Sequence, residues 1–165
     1  MNVSFGPRDV LQIDGARLVF KNFSGRKDQY NRNGDRTFAV VIPDQETADK
    51  MINRKNKFGV GWNVKIRAPR EEGDQPFMFM NVRVKFTDFG PDVYLKSGNN
   101  TRMLDEDTIG LLDQIDIESV DLDIRPYDDM GREGPFRAAY LRSIWVTQSV
   151  DRFKERLAEE EYPEE

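Results

Sequence analysis

The sequence predicts a mainly β domain with short helices, on three observations. Apolar and polar residues alternate with a period of two over residues 77–87 and 119–125, the signature of strands with one buried face. The helix-compatible stretches, residues 44–55 and 104–115, are short and isolated. Gly, Pro, Asn and Asp recur between the apolar segments at the spacing of turns. At 165 residues the chain is long enough for one ordinary domain with its own core. Its 33% charged fraction points to a heavily solvated surface. No repeat or compositional break divides it, so residues 1–158 read as one domain and residues 159–165 as a flexible acidic tail.

The elements follow in order. Residues 16–23 read as a strand, with Arg17 and Lys21 on one side and Leu18 and Phe20 on the other. The polar stretch 24–36 reads as a long basic loop, and the near-continuous apolar run 37–43 as a buried strand ended by Pro43. Asp44 is placed to cap a helix over 44–55, with Met51 and Ile52 on its apolar stripe. Residues 62–68 alternate, Trp62, Val64 and Ile66 against Asn63, Lys65 and Arg67, and residues 69–76 form a loop. In the strand 77–87, Met78, Met80, Val82, Val84 and Phe86 make a core set, and Phe77, Phe79, Asn81, Arg83 and Lys85 the opposite face. A short strand at 92–96 precedes a helix from Leu104, with Ile109, Leu112 and Ile115 inward. Residues 119–125 alternate strictly, 127–135 read as a loop, and 136–147 as a long strand. A last helical turn at 151–158 leads into the tail. Short, mostly antiparallel strands with interspersed helices suit a small Greek-key barrel, an OB-fold-like one with elaborated loops.

Composition narrows the chemistry. The chain has no His and no Cys, so a Ser-His-Asp triad, a cysteine nucleophile and the usual zinc sites are excluded. The same lack of cysteine, with no signal-peptide core and no apolar run near 20 residues, predicts a cytoplasmic, non-membrane protein. Charge is unevenly spread. Residues 7–70 hold 14 Lys/Arg against 7 Asp/Glu, residues 71–158 hold 11 against 18, and residues 159–165 hold five Glu and no base. The net charge of -5 thus resides in the tail, and the neutral body has a basic amino-terminal half able to present a positive groove.

Two groups of residues fit single-stranded nucleic acid, which needs cations for phosphates and flat rings for bases. One is the strand face Phe77, Phe79, Arg83 and Lys85; the competing reading buries both rings. The other is Arg26, Lys27, Tyr30, Arg32 and Arg36 on the 24–36 loop; the competing reading is a plain polar loop. Lys65 and Arg67 extend the set, whereas Trp62 sits on the apolar side and reads as core. Among the acids, Asp105, Glu106 and Asp107 point apart and serve a helix start. Asp121 and Asp123 share a strand face, followed by Asp128 and Asp129, and offer a rival magnesium site for a nuclease, without any specific metal-binding motif. No catalytic residue, cofactor or metal is assigned.

Three stretches, KNFSGRKDQYNRNGDRTFAVVI, GWNVKIRAPREEGD and VDLDIRPYDDMGREGPFRAAYLRSIWV, resemble the OB-fold single-stranded DNA-binding proteins of phages and prophages. The resemblance implies a cleft lined with bases and aromatics, and a non-sequence-specific role in DNA replication or recombination. It also implies an acidic carboxy-terminal tail that engages replication or recombination proteins or competes with DNA for the cleft, here Glu159, Glu160, Glu161, Glu164 and Glu165. Such tails often end on an aromatic or apolar residue; this one ends on glutamate, with Tyr162 inside. The alternative function is a protein-binding or DNA-mimicking phage factor working through the acidic second half. A virion structural protein and a homo-oligomer are both compatible with the sequence.

Overall fold

The computed structural model describes residues 1–29 and 31–150. The expectations for Tyr30, for the turn at 151–158 and for the acidic tail lie outside the described residues.

The described chain contains ten strands and one α-helix: β1 (Asn2–Phe5), β2 (Leu11–Asp14), β3 (Leu18–Asn22), β4 (Arg36–Ile42), α1 (Gln45–Ile52), β5 (Lys65–Arg67), β6 (Phe77–Val84), β7 (Asp92–Ser97), β8 (Asn100–Leu104), β9 (Ile117–Gly131) and β10 (Gly134–Gln148). The main path runs β1-β2-β9-β10-β6-β4-β3. Two strands share their edges between partners. One edge of β6 is taken by β4; on the other, β5 pairs with its first residues and β10 meets it at Tyr140↔Arg83. After a bulge between Leu141 and Ser143, β10 leaves β6 and pairs in parallel with β7. The sheet curls without closing. A backbone bond from Ala16 N to Val120 O at 2.8 Å ties the connection between β2 and β3 to β9. This is the mainly β, OB-like architecture the sequence predicts.

The core fills the inside of the curl. Met78, Met80, Val82 and Val84 of β6 are all at most 6% exposed, as their alternation requires. Phe23 and Phe38 stack 5.0 Å apart, and Leu122, Ile124, Leu141, Ile144 and Val146 of β9 and β10 complete it. Burial of each such side chain contributes about 1.5–3 kcal/mol. Helix α1 begins as expected: Asp44 accepts a hydrogen bond from Thr47 N at 2.8 Å, and Ala48 and Met51 are buried.

Several expectations are corrected. The helix over 104–115 is instead the end of β8, a turn at Asp105 and a 3-10 turn at Ile109–Asp113. Ile109 and Leu112 still point inward, but Asp113 is pulled back to accept from Phe23 N and Ser24 N, each at 2.9 Å. A run this short has too few hydrogen bonds to propagate as α-helix. The 62–68 strand shrinks to β5, where Ile66 is 55% exposed and Trp62 is buried apart from it. In β3, Phe20 takes φ 52 and the register slips between Val19 and Asn22, so Phe20 turns outward and is 53% exposed. The 127–135 loop is strand for most of its length: β9 and β10 continue as one hairpin to a turn at Arg132 and Glu133. Alternation weakens there because both faces of the extension are polar or exposed. The first two strands, β1 and β2, and strand β8 have no counterpart in the sequence reading.

Candidate nucleic-acid interface

The outer face of β6 positions the predicted residues. Cross-strand partners in a ladder share a face. Lys65 pairs with Phe79 and Arg67 with Phe77, while Thr37 of β4 and Tyr140 of β10 flank Arg83. At one end Phe20 meets Phe77 at 6.2 Å and Phe79 at 5.5 Å, and the two β6 rings stack 5.4 Å apart. The Arg67 guanidinium lies 5.3 Å from both the Phe20 and Phe79 ring centres. Phe79 is covered by this cluster and only 5% exposed, so it supports the platform from beneath rather than offering a free ring. Phe77 is half-buried, and the solvent-facing ring is Phe20. The sequence reading missed Phe20, because regular alternation sends it inward.

At the other end of the strand, Arg32, Arg83 and Lys85 converge with Thr37 and Tyr140 on a cavity of about 720 Å³. Arg36 lines it too, but its head group is engaged. It lies 3.6 Å from the Glu106 carboxylate, donates to the Glu106 carbonyl at 3.2 Å and rests 5.6 Å from the Phe86 ring centre. It shapes the wall more than it offers charge. The exposed Arg26 and Lys27 sit on the 24–36 loop, outside this cavity. That loop is braced: Asn22 and Arg26 exchange two hydrogen bonds at 2.9 Å, and Gly34 N donates to Gly25 O at 2.8 Å. A side chain at Gly25, already at φ 73, would crowd the Gly34 backbone.

Arg125 and Tyr140 also belong to this face and were missed. They pair across β9 and β10, and the Arg125 guanidinium sits 4.8 Å from the Tyr140 ring centre. Their signal was the alternation already visible at Val120, Leu122 and Ile124, which sends Arg125 outward. The rival carboxylates have other work. Asp121 accepts from Gly15 N at 2.8 Å, Asp123 lies 3.4 Å from Ser143 Oγ, and Asp128 is bound by Arg137 at 2.8 Å. Among the described residues no three metal-ligating side chains cluster.

A family model described as "Putative phage ssDNA-binding domain" matches residues 2–165. The chain belongs to this family. Solved structures agree with that placement at the level of fold. This phage ssDNA-binding domain resembles the single-stranded DNA-binding protein from bacteriophage Enc34 in complex with ssDNA, with a TM-score of 0.55 and 12% identity over 91% of this chain and 92% of that one. A carboxy-terminally truncated form of the Enc34 protein matches with a TM-score of 0.53, 12% identity and the same coverages. Among proteins of curated function, none is detectably similar in sequence.

Proposed function

We propose that the protein binds single-stranded DNA without sequence preference, with no catalytic step, in phage DNA replication or recombination in the host cytoplasm. The observation that carries this reading is the outer face of β6. It sets exposed cations beside aromatic rings along one strand, Lys65, Arg67, Phe77 and Phe20 at one end, and Arg83, Lys85 and Arg32 at the other. Rings accept bases of any identity, and cations follow the phosphates. Family membership over nearly the whole chain supports it. The no-catalysis part rests on the lack of His and Cys and on the hydrogen bonds that occupy Asp121 and Asp128. Residues 1–158 would form the binding domain, and residues 159–165 an acidic segment that engages partner proteins or competes for the cleft.

Anisotropy of labelled poly-dT at two salt concentrations tests the reading. Binding should be tight at low salt and weaken steeply as salt rises, because neutralised phosphates release counterions. Absence of binding at low salt, or binding indifferent to salt, refutes it.

A further inference from the structure

A second basic cleft lies beyond the β6 face and shares Lys85 and Arg125 with it. The turn at Pro7–Asp9, the β6–β7 loop and the β9/β10 pair enclose a cavity of about 830 Å³. Arg8, Lys85, Arg125, Arg142 and Phe89 line it, and no acidic residue does. Among the described residues none of these four cations forms an ion pair with a carboxylate. Asp92 and Asp123 border Arg8 and Arg142 on the far side without pairing to them.

Two features show that this cleft is built rather than incidental. Phe89 is 97% exposed, yet it stands on a closed turn: Thr87 N donates to Gly90 O at 2.8 Å and Phe89 N to Thr87 Oγ1 at 3.2 Å. Among the described residues this large ring, held out on a hydrogen-bonded turn, has no aromatic or cationic partner. Arg8 and Asp9 also both take left-handed backbone, φ 58 and 62, which side chains other than glycine rarely adopt and which is strained. The strain is held by Asp9, whose carboxylate is gripped by Arg54 at 2.7 Å and Arg137 at 2.8 Å. The consequence is that Arg8 is delivered to the cleft.

We propose that this cleft is a second single-stranded DNA contact, in which Arg8, Arg125 and Arg142 bind phosphates and Phe89 stacks on a base. It rests on the single-stranded DNA reading above and extends the strand's path from the β6 face across Lys85. Two variants of the full chain test it by poly-dT anisotropy over a salt series. Phe89→Ala should lower affinity about tenfold, the loss of one stacked base. The pair Arg8→Gly and Arg142→Ala should flatten the slope of log affinity against log salt by about 1.4, two phosphate contacts at about 0.7 each on a single strand. Arg8→Gly alone should raise the thermal midpoint while weakening binding, an opposition that a purely structural arginine would not produce. If the wild type binds poly-dT and these variants match it in affinity and slope, the cleft is not a DNA contact. If the wild type does not bind poly-dT at all, it is the underlying reading that fails.

Discussion

Arg137 shows how one buried charge organises the surface around it. Its side chain is 2% exposed, and it donates to Asp128 Oδ1 and Asp9 Oδ2 at 2.8 Å each and to the Arg54 carbonyl at 3.1 Å. It also lies 5.0 Å from the Trp62 ring centre. One guanidinium therefore ties the amino-terminal turn, the end of α1 and the long hairpin together. Burial opposes ionisation of Asp9, but hydrogen bonds from Arg54 and Arg137 outweigh it and hold its carboxyl below the ordinary 3.8. For Asp128 the Arg137 hydrogen bond is the larger effect and prevails over burial, with the same result. A depressed folded pKa means stability that is present above the ordinary carboxylate value and is lost as pH falls through and below it. Urea midpoints should accordingly hold level at neutral pH and drop below about pH 4. Arg137→Ala should cost about 3 kcal/mol by urea denaturation, because it strands partly buried carboxylates; in that variant the acid-induced drop should be smaller. Nothing in the sequence marks Arg137, since its partners lie 9 and 128 positions away.

The elements divide by how far their pairing reaches. Strand β6 and helix α1 were legible because their cues are local: an alternating face for one, a capping aspartate and an apolar stripe for the other. The β9–β10 hairpin was only half legible. Its inner half alternates, but its outer half, Tyr127 to Phe136, carries Asp, Gly and Pro and is held by cross-strand partners such as Asp128↔Arg137. The turn itself depends on Gly134 at φ 114, a value open to glycine alone. Gly134→Ala should lower stability by about 1–3 kcal/mol and speed amide exchange near the hairpin tip more than in β6. Gly61 is stricter still, since a Cβ there would overlap the Ile52 carbonyl oxygen. Its substitution should disturb the packing of Trp62, visible as a shift in tryptophan emission. Strand β5 is shorter than the seven residues the alternation predicts: it pairs only with Phe77, Met78 and Phe79 at the start of β6, and β10 meets β6 further along at Arg83.

Across the whole molecule, charge decides more than composition suggests. Removing residues 159–165 leaves 25 Lys/Arg against 25 Asp/Glu, a neutral chain that still sets a group of cations on the β6 face and the adjoining cleft. Truncation after Ala158 should therefore tighten poly-dT binding, most clearly at low salt where screening is weakest. Unchanged affinity by anisotropy would show that the tail does not compete with DNA. The sequence by itself determined the β class, the inward row of β6, the cap of α1 and the segregation of acid into the last residues, because each rests on neighbours within a few positions. Of the candidate site, the same local alternation put Phe77, Arg83 and Lys85 on one face of residues 77–87 and turned Lys65 and Arg67 away from Trp62. Only the tertiary structure decided that Phe79 is covered while Phe20 faces solvent, that Arg36 is engaged by Glu106, and that Arg8, Arg125 and Arg142 meet Lys85. Those outcomes depend on a register slip, a left-handed turn and strand pairings between distant segments, and the energies that select them arise only once the sheet has curled.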